Sequence, residues 1–366
     1  MLTLHFVFDI VVKTDCTYYI IRPEGEGSMI PFRSDLEKKI VSEQKMQEIY
    51  DMIKTTGKKI PVMRLSEDMT DSPSVFRKDG KWYLYYISIS KDVTKSGYET
   101  HVAESDDLIN WQKIGTVFKR NELDRWDSKQ CAGYAAYPDI NWDGTNELNK
   151  VNGKYYMSYL AGNSDGYEPD PLYMGMAEST DPTDIEKITR FPNPILAPED
   201  ADGRLGEEKT LYKSFMFIDE AEVTGYKYVN IYNAKANDRT ERIFLAVSND
   251  GVNWERYGDK YVFSRNDTHP DTLITGDPQI VKIGDVYVMF YFTWVETTGA
   301  YNTFACSYDL VNWTDWQGEP LVKPTCELDD LHAHKTWFVR HEGKNYHFYC
   351  ACNKADERFI CVALSE

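Results

Sequence analysis

The stretch AESDDLINW, residues 103–111, returns almost unchanged as AVSNDGVNW at 246–254 and as ACSYDLVNW at 305–313. Shorter versions stand at 177–184, AESTDPTD, and at 363–366, ALSE. Their common core is Ala-x-Ser, at Ala103, Ala177, Ala246, Ala305 and Ala363, spaced 74, 69, 59 and 58 residues apart. Three matching residues recur by chance. Five sets at a near-steady interval, each preceded by the same kind of sequence, mark an internal repeat.

Working backward from each Ala-x-Ser, the same order of features recurs. A polar or proline-bearing opening leads into a short apolar run, then a turn, then an aromatic and β-branched run. DSPSVFRKDGKWYLYYISIS (71–90) shows the pattern in full. Turns at Asp79-Gly80, Asn152-Gly153 and Glu342-Gly343 separate such runs, and Asp-Gly and Asn-Gly tolerate the positive φ that a tight hairpin needs. With a third strand ending at Ala-x-Ser and a fourth beginning near Asn-Trp, each unit has four short strands. Five radial repeats of such a unit predict an all-β fold, a five-bladed β-propeller with four-stranded blades around a central channel. The small Ala and Ser are expected where sheets pack closely. Trp111, Trp254 and Trp313 are expected to fill gaps between outer strands rather than to touch a ligand.

The propeller is assigned to residues 67–366, and residues 1–66 to a strand-and-helix segment that packs on it and closes it. One short helix is expected over 34–54, with Ser34 and Glu37 as a capping box and an apolar stripe of Ile40, Val41, Met46, Ile49, Met52 and Ile53. The last unit stops after its third strand. Its fourth is expected from KIPVMRL (59–65), or failing that from residues 1–21.

Composition narrows the partners. Fifty-nine acidic against 41 basic residues give a net charge of −18, which argues against nucleic acid and anionic membranes. No run of 18 apolar residues is present to span a bilayer. Aromatic residues make up 14% of the chain, which suits β structure and also suits stacking on sugar rings. The start MLTLHFVFDIVV lacks a basic leader region, so a cytoplasmic protein is expected, or a periplasmic one whose leader is missing. The seven cysteines form no disulfide framework. Cys350 and Cys352 fall on one face of a strand without a matching second pair, and they read as buried thiols rather than as a zinc site. Oligomeric state is left open.

In a propeller the first strand of every blade lines the channel, so its opening residues face one pocket. Those openings are TDSP with Asp71, YPDI with Asp139, YKSF with Lys213, GDPQ with Asp277, and HAHK with His334 and Lys335. Carboxylates crowded with lysines and a histidine shift one another's pKa, which is how acid and base roles separate.

This pattern, DSPSVFRKDGKWYLYYI followed by ESDDLINW and SNDGVNW, resembles the five-bladed propeller glycoside hydrolases, a group that includes families 43, 32, 117 and 130. The resemblance covers residues 68–366. It implies a glycosidase that cleaves a glycosidic bond in an oligosaccharide from plant or algal polysaccharide, with no required cofactor. Family 43 carries a general base in an Asp-Pro opening of blade one, which Asp71 matches with Ser72 inserted. Its acid is a Glu opening blade four, where this chain has Asp277. Its pKa-modulating Asp belongs to blade three, where this chain has Lys213.

The resulting expectation is inverting hydrolysis. Asp71 activates water, Asp277 or Glu207 is the acid, and Asp139 raises the acid's pKa. Lys213, Lys335, His334 and Glu208 hold the substrate, and Trp126 and Trp294 stack on it. No bound metal is expected, although calcium would suit the Asp and His of the channel. Two rival readings remain. One is a phosphate-dependent phosphorylase using Lys213, Lys335, His332, His334 and Arg204. The other is a non-catalytic carbohydrate-binding propeller.

Overall fold

The computed structural model describes residues 10–14, 17–21, 29–36, 38–92 and 97–366. Strands β1 (Ile10–Thr14) and β2 (Thr17–Ile21) pair with each other as a two-stranded sheet. Helix α1 (Glu43–Ile53) and strand β3 (Lys59–Met63) follow. The first four-stranded antiparallel sheet is β4 (Asp68–Lys78), β5 (Lys81–Ser90), β6 (Tyr98–Ser105) and β7 (Gln112–Phe118). The second is β8 (Gln130–Ala135), β9 (Tyr155–Gly162), β10 (Tyr173–Ser179) and β11 (Ile188–Arg190).

An eight-stranded sheet comes next, in two antiparallel halves. One holds β12 (Thr210–Ile218), β13 (Tyr228–Lys235), β14 (Glu241–Ser248) and β15 (Glu255–Tyr257). The other holds β16 (Thr272–Ile283), β17 (Val286–Val295), β18 (Gly299–Ser307) and β19 (Trp313–Asp315). A single parallel pair, Glu241 with Ile274, joins them. The last sheet is β20 (His332–His341), β21 (Lys344–Cys352) and β22 (Arg358–Leu364), and its fourth strand is β3. There Lys59 lies opposite Ala363. The first strands of the units touch in order, β4 to β8 to β12 to β16 to β20 and back to β4.

The repeated motif has a local cause. Ser105, Ser248 and Ser307 each accept backbone N–H groups two and three residues on through Oγ. The Asp that follows each (Asp107, Asp250, Asp309) accepts the next two N–H groups and the Asn side chain. Ser-x-Asp-x-x-Asn is therefore a self-contained turn that ends the third strand. The serines make turns rather than close sheet contacts. The alanines do the packing, and all five are fully buried. The indole N–H groups of Trp111 and Trp313 donate to the carbonyls of Leu108 and Leu310, which fixes both rings across the turn.

Helix α1 is shorter than the expected 34–54. Ser42, not Ser34, caps it by accepting the N–H of Lys45 at 3.3 Å, and Glu37 lies outside the described residues. The reason is tertiary: the N–H of Val41 is held by Thr314 Oγ1, so the chain ahead of Ser42 follows the fourth unit instead of coiling. Met46, Ile49 and Ile53 are buried, whereas Ile40 and Met52 face solvent. No helix among the described residues is long and apolar enough to cross a membrane.

The second unit also departs from expectation. YPDI was expected to open its first strand, but that strand is β8, ending at Ala135, and Asp139 lies in the long connection to β9.

Candidate active site

Four first strands carry the same irregularity. Register against the neighbouring strand shifts by one residue between Asp71 and Ser74, Leu211 and Ser214, Gly276 and Gln279, and His334 and Trp337. A bulge of this kind adds one unpaired residue and re-aims the side chains around it. Three of the four put a non-glycine residue at positive φ: Ser72 (46°), Asp277 (54°) and Lys335 (57°). Left-handed backbone at such residues costs free energy and concentrates at functional sites. The bulges turn Asp71, Lys213, Asp277, His334 and Lys335 into the space between the sheets.

That space is a narrow pocket lined among others by Asp71, Glu168, Tyr212, Lys213, Asp277 and Lys335. Asp71 is buried. Its Oδ1 accepts the N–H of Ser72 at 2.6 Å, and its Oδ2 accepts Arg358 Nη1 at 2.8 Å. Burial alone would raise its pKa, but the charges of Arg358, His334 and Lys335 bring it down to about 2. Lys335 Nζ donates to Asp277 Oδ1 at 3.3 Å, and Lys213 Nζ stands 3.9 Å from Asp277 Oδ2. That Oδ2 is buried with no hydrogen-bond partner, an acceptor left free on the pocket wall. Lys213 donates to the carbonyl of Thr336 at 2.8 Å, and burial lowers its pKa to about 8.

Further residues, which the first strands do not supply, lie in the pocket or beside it. Glu168 sits at φ 48° in the loop between β9 and β10, and it accepts the hydroxyls of Tyr98 at 2.6 Å and Tyr212 at 3.0 Å. The loop is tied down by Gln130 Nε2, which donates to the carbonyls of Ser164 and Gly166, and by Asp170, which accepts Thr210 Oγ1 and Lys235 Nζ. Glu241 opens β14, buried, with Asn233 Nδ2 donating to it at 2.7 Å. Burial, then the charges of Glu168 and Asp277, raise its pKa to about 8. Arg358 opens β22 and also donates to the Tyr167 hydroxyl at 3.1 Å. Tyr98, Glu241 and Arg358 hold one position in three units, the start of the third strand. Reading only first-strand openings misses it.

Other expected site residues lie elsewhere. Glu207 is buried and paired with Arg204 and Arg256 at 2.9 Å each, and it also accepts the Tyr232 hydroxyl. Two guanidinium groups stabilise its ionised form, so it is a poor proton donor and serves the packing of the third unit. The same pairing removes Arg204 from any phosphate cluster. Asp139 closes its own loop, accepting Asn141 N–H and Thr145 N–H. The cavity beside it is walled by Trp142, which stacks on Phe338, and is separate from the pocket of Asp71. Glu208 accepts the N–H groups of Gly206 and Asn237. Trp126 stacks on Tyr159 and donates to the Pro192 carbonyl, so its ring is used internally.

His334 lies beside the pocket, and Trp294 is farther along a neighbouring strand. Trp294 lies two residues beyond Phe292 on β17, on the same strand face, and Phe292 meets both the His334 ring and Lys335 Nζ. His334 Nε2 stands 3.9 Å from Asp71 Oδ2.

Residues 60–360 match the family model described as glycosyl hydrolases family 43. A solved structure described as a glycoside hydrolase is 39% identical, covering 89% of this chain and 96% of its own, with a TM-score of 0.82. A second, described as a BT0996 RGII complex, is 39% identical over the same shares, with a TM-score of 0.83. The endo-arabinase from Bacteroides thetaiotaomicron shares the fold at 17% identity, covering 83% of this chain and 95% of its own, with a TM-score of 0.58. No curated protein matches the chain significantly.

Proposed function

The chain belongs to glycosyl hydrolase family 43 and is a glycosidase; from that premise we propose that Glu241 is its catalytic acid and Glu168 its base, in an inverting hydrolysis. The carrying observation is Glu241, a buried carboxyl whose pKa of about 8 keeps it protonated at neutral pH. It gives that proton to the leaving glycosidic oxygen. Glu168 takes a proton from the attacking water, with the hydroxyls of Tyr98 and Tyr212 fixing its orientation. Asp71 matches the family's base by sequence position, but the charges of Arg358, His334 and Lys335 hold its pKa at about 2, too low for it to take a proton from water efficiently. Its role here is to hold Arg358 and bind substrate. The free Oδ2 of Asp277, with Lys213 and Lys335, binds sugar hydroxyls.

The four-stranded units are five blades of a propeller over residues 67–366, a reading supported by the closed order of contacts among first strands. Residues 1–66 form the segment that contributes β3. The relative described as an RGII complex points to an oligosaccharide from that plant polysaccharide as substrate. Trp294, on the same strand face as Phe292, is the candidate for stacking on a sugar ring.

The test is hydrolysis of RGII-derived oligosaccharides by the wild type, Glu241→Gln, Glu168→Gln and Asp71→Asn, with and without phosphate, following the product anomer by NMR. Loss of turnover in both glutamate variants, with inversion and no need for phosphate, is expected. Full activity in either glutamate variant removes that residue from catalysis.

A further inference from the structure

Three side chains on one face of the last sheet converge away from the two glutamates. Cys350 and Cys352 alternate on β21, and His334 on β20 lies directly opposite Cys350 in the register. All three are buried. Their ligand atoms, two thiol sulfurs and an imidazole nitrogen, lie within 4.8 Å of one another. Cys352 Sγ is 3.9 Å from His334 Nδ1. A tetrahedral zinc with bonds of about 2.3 Å to sulfur and 2.0 Å to nitrogen sets those two atoms roughly 3.6 Å apart, so small rotamer shifts close the site. We propose that His334, Cys350 and Cys352 form a binding site for a thiophilic metal ion, zinc in the first instance.

Three physical points favour a soft ion here. Thiolate and imidazole select zinc or cuprous ion over calcium or magnesium, which take oxygen. The second nitrogen of His334 faces Asp71 Oδ2 at 3.9 Å, the carboxylate–histidine arrangement that orients a metal-bound imidazole. Charge also balances. Zinc displaces two thiol protons to solvent, leaving a neutral zinc dithiolate beside the neutral Asp71–Arg358 pair. The contacts the ion replaces are weak: His334 Nδ1 to the Cys350 carbonyl at 3.2 Å, and the Cys350 thiol to the Thr70 carbonyl at 3.5 Å. Three protein ligands leave a fourth position for water. The ion would hold His334 against Asp71, which lines the pocket.

The experiment uses the full chain without a polyhistidine tag, purified under reducing conditions from zinc-supplemented medium. Metal content is measured by mass spectrometry, and the near-ultraviolet thiolate-to-cobalt band is measured after substitution with Co(II). About one zinc per chain, a thiolate–cobalt band, and loss of both in Cys352→Ser and His334→Ala are expected. Cys326→Ser, which changes the exposed thiol, should keep both. Should the site variants fail to fold, the thiolate-to-cobalt band of the wild type and its loss on chelation carry the same test, and no band overturns the site. Copper on the same three residues supports a thiophilic site. Three results overturn it: no bound metal and no cobalt band, metal retained in both site variants, or metal-free protein with Cys350 and Cys352 joined as a disulfide. None depends on turnover, so a failure here is distinct from a failure of the glutamate pair.

Discussion

Replacing Glu241 with Gln should make the protein more stable as the pH rises, while abolishing its work. The folded pKa of about 8 stands well above the ordinary 4.5, because burial and then the nearby Glu168 disfavour the charged form. The folded state therefore binds this proton more tightly than the unfolded chain. Stability linked to it is complete below pH 4.5 and is lost as pH rises through 8. A gap of that size corresponds to roughly 5 kcal/mol across the whole window, and to roughly 3 kcal/mol by pH 7. Gln has the shape of the protonated acid and never ionises. Urea unfolding of both proteins from pH 4.5 to 8.5 should show the variant gaining on the wild type by about 3–5 kcal/mol as pH rises. Any fixed cost of the amide cancels, because only the change with pH is read. Parallel curves would refute both the burial argument and the choice of Glu241 as the acid. Kinetics supply a second readout: the alkaline fall in wild-type activity near pH 8 should vanish from the residual activity of the variant.

Glu168→Gln should lower kcat about 10²- to 10⁴-fold with an unchanged melting temperature, whereas Tyr98→Phe, which removes one of two donors to Glu168, should cost far less. Glu207→Gln strips the charge between Arg204 and Arg256 and should destabilise by about 3–5 kcal/mol in urea unfolding, with kcat of the folded fraction intact. Arg358→Ala leaves Asp71 buried without its partner, so it should lose about 3–5 kcal/mol of stability and also weaken substrate binding, read as a raised KM. Asp139→Ala should leave turnover unchanged, since its bonds stay inside the loop 139–145.

Much of the fold could be read from the repeat because the repeat is local chemistry. Ser-x-Asp-x-x-Asn satisfies its own backbone, so the turn needs no tertiary help and its spacing marks the units. The Asp-Gly, Asn-Gly and Glu-Gly hairpins likewise sit at positive φ, as their residues predict. The pocket was only half legible. Asp71, Asp277, Lys213, His334 and Lys335 were reached because first strands must line the interior. Glu168 and Glu241 were not, because a loop and a third strand deliver them, and nothing local marks which hairpin ends fold over a pocket. The hidden signal was the charge in the connections between second and third strands, NSDGYEPDP at 163–171 and KANDRTE at 235–241. Asp139 misled because an Asp beside Pro looks alike in a turn and at a strand opening. The helix start slipped because Thr314, remote in sequence, decided it.

The pairing of β3 with β22 sets a timetable for synthesis. Lys59 meets Ala363, 304 residues further on, only after the chain that separates them has left the ribosome. Until then β3 is an open edge on the growing chain, able to pair with a neighbouring nascent copy. Pro61 lies in this strand and offers no N–H, which blunts that edge while it waits. Closure of the ring of sheets therefore waits for β22. A stall in translation just before β22 would leave the ring of sheets unsealed, and aggregation of truncated chains would rise sharply for any stop before β22.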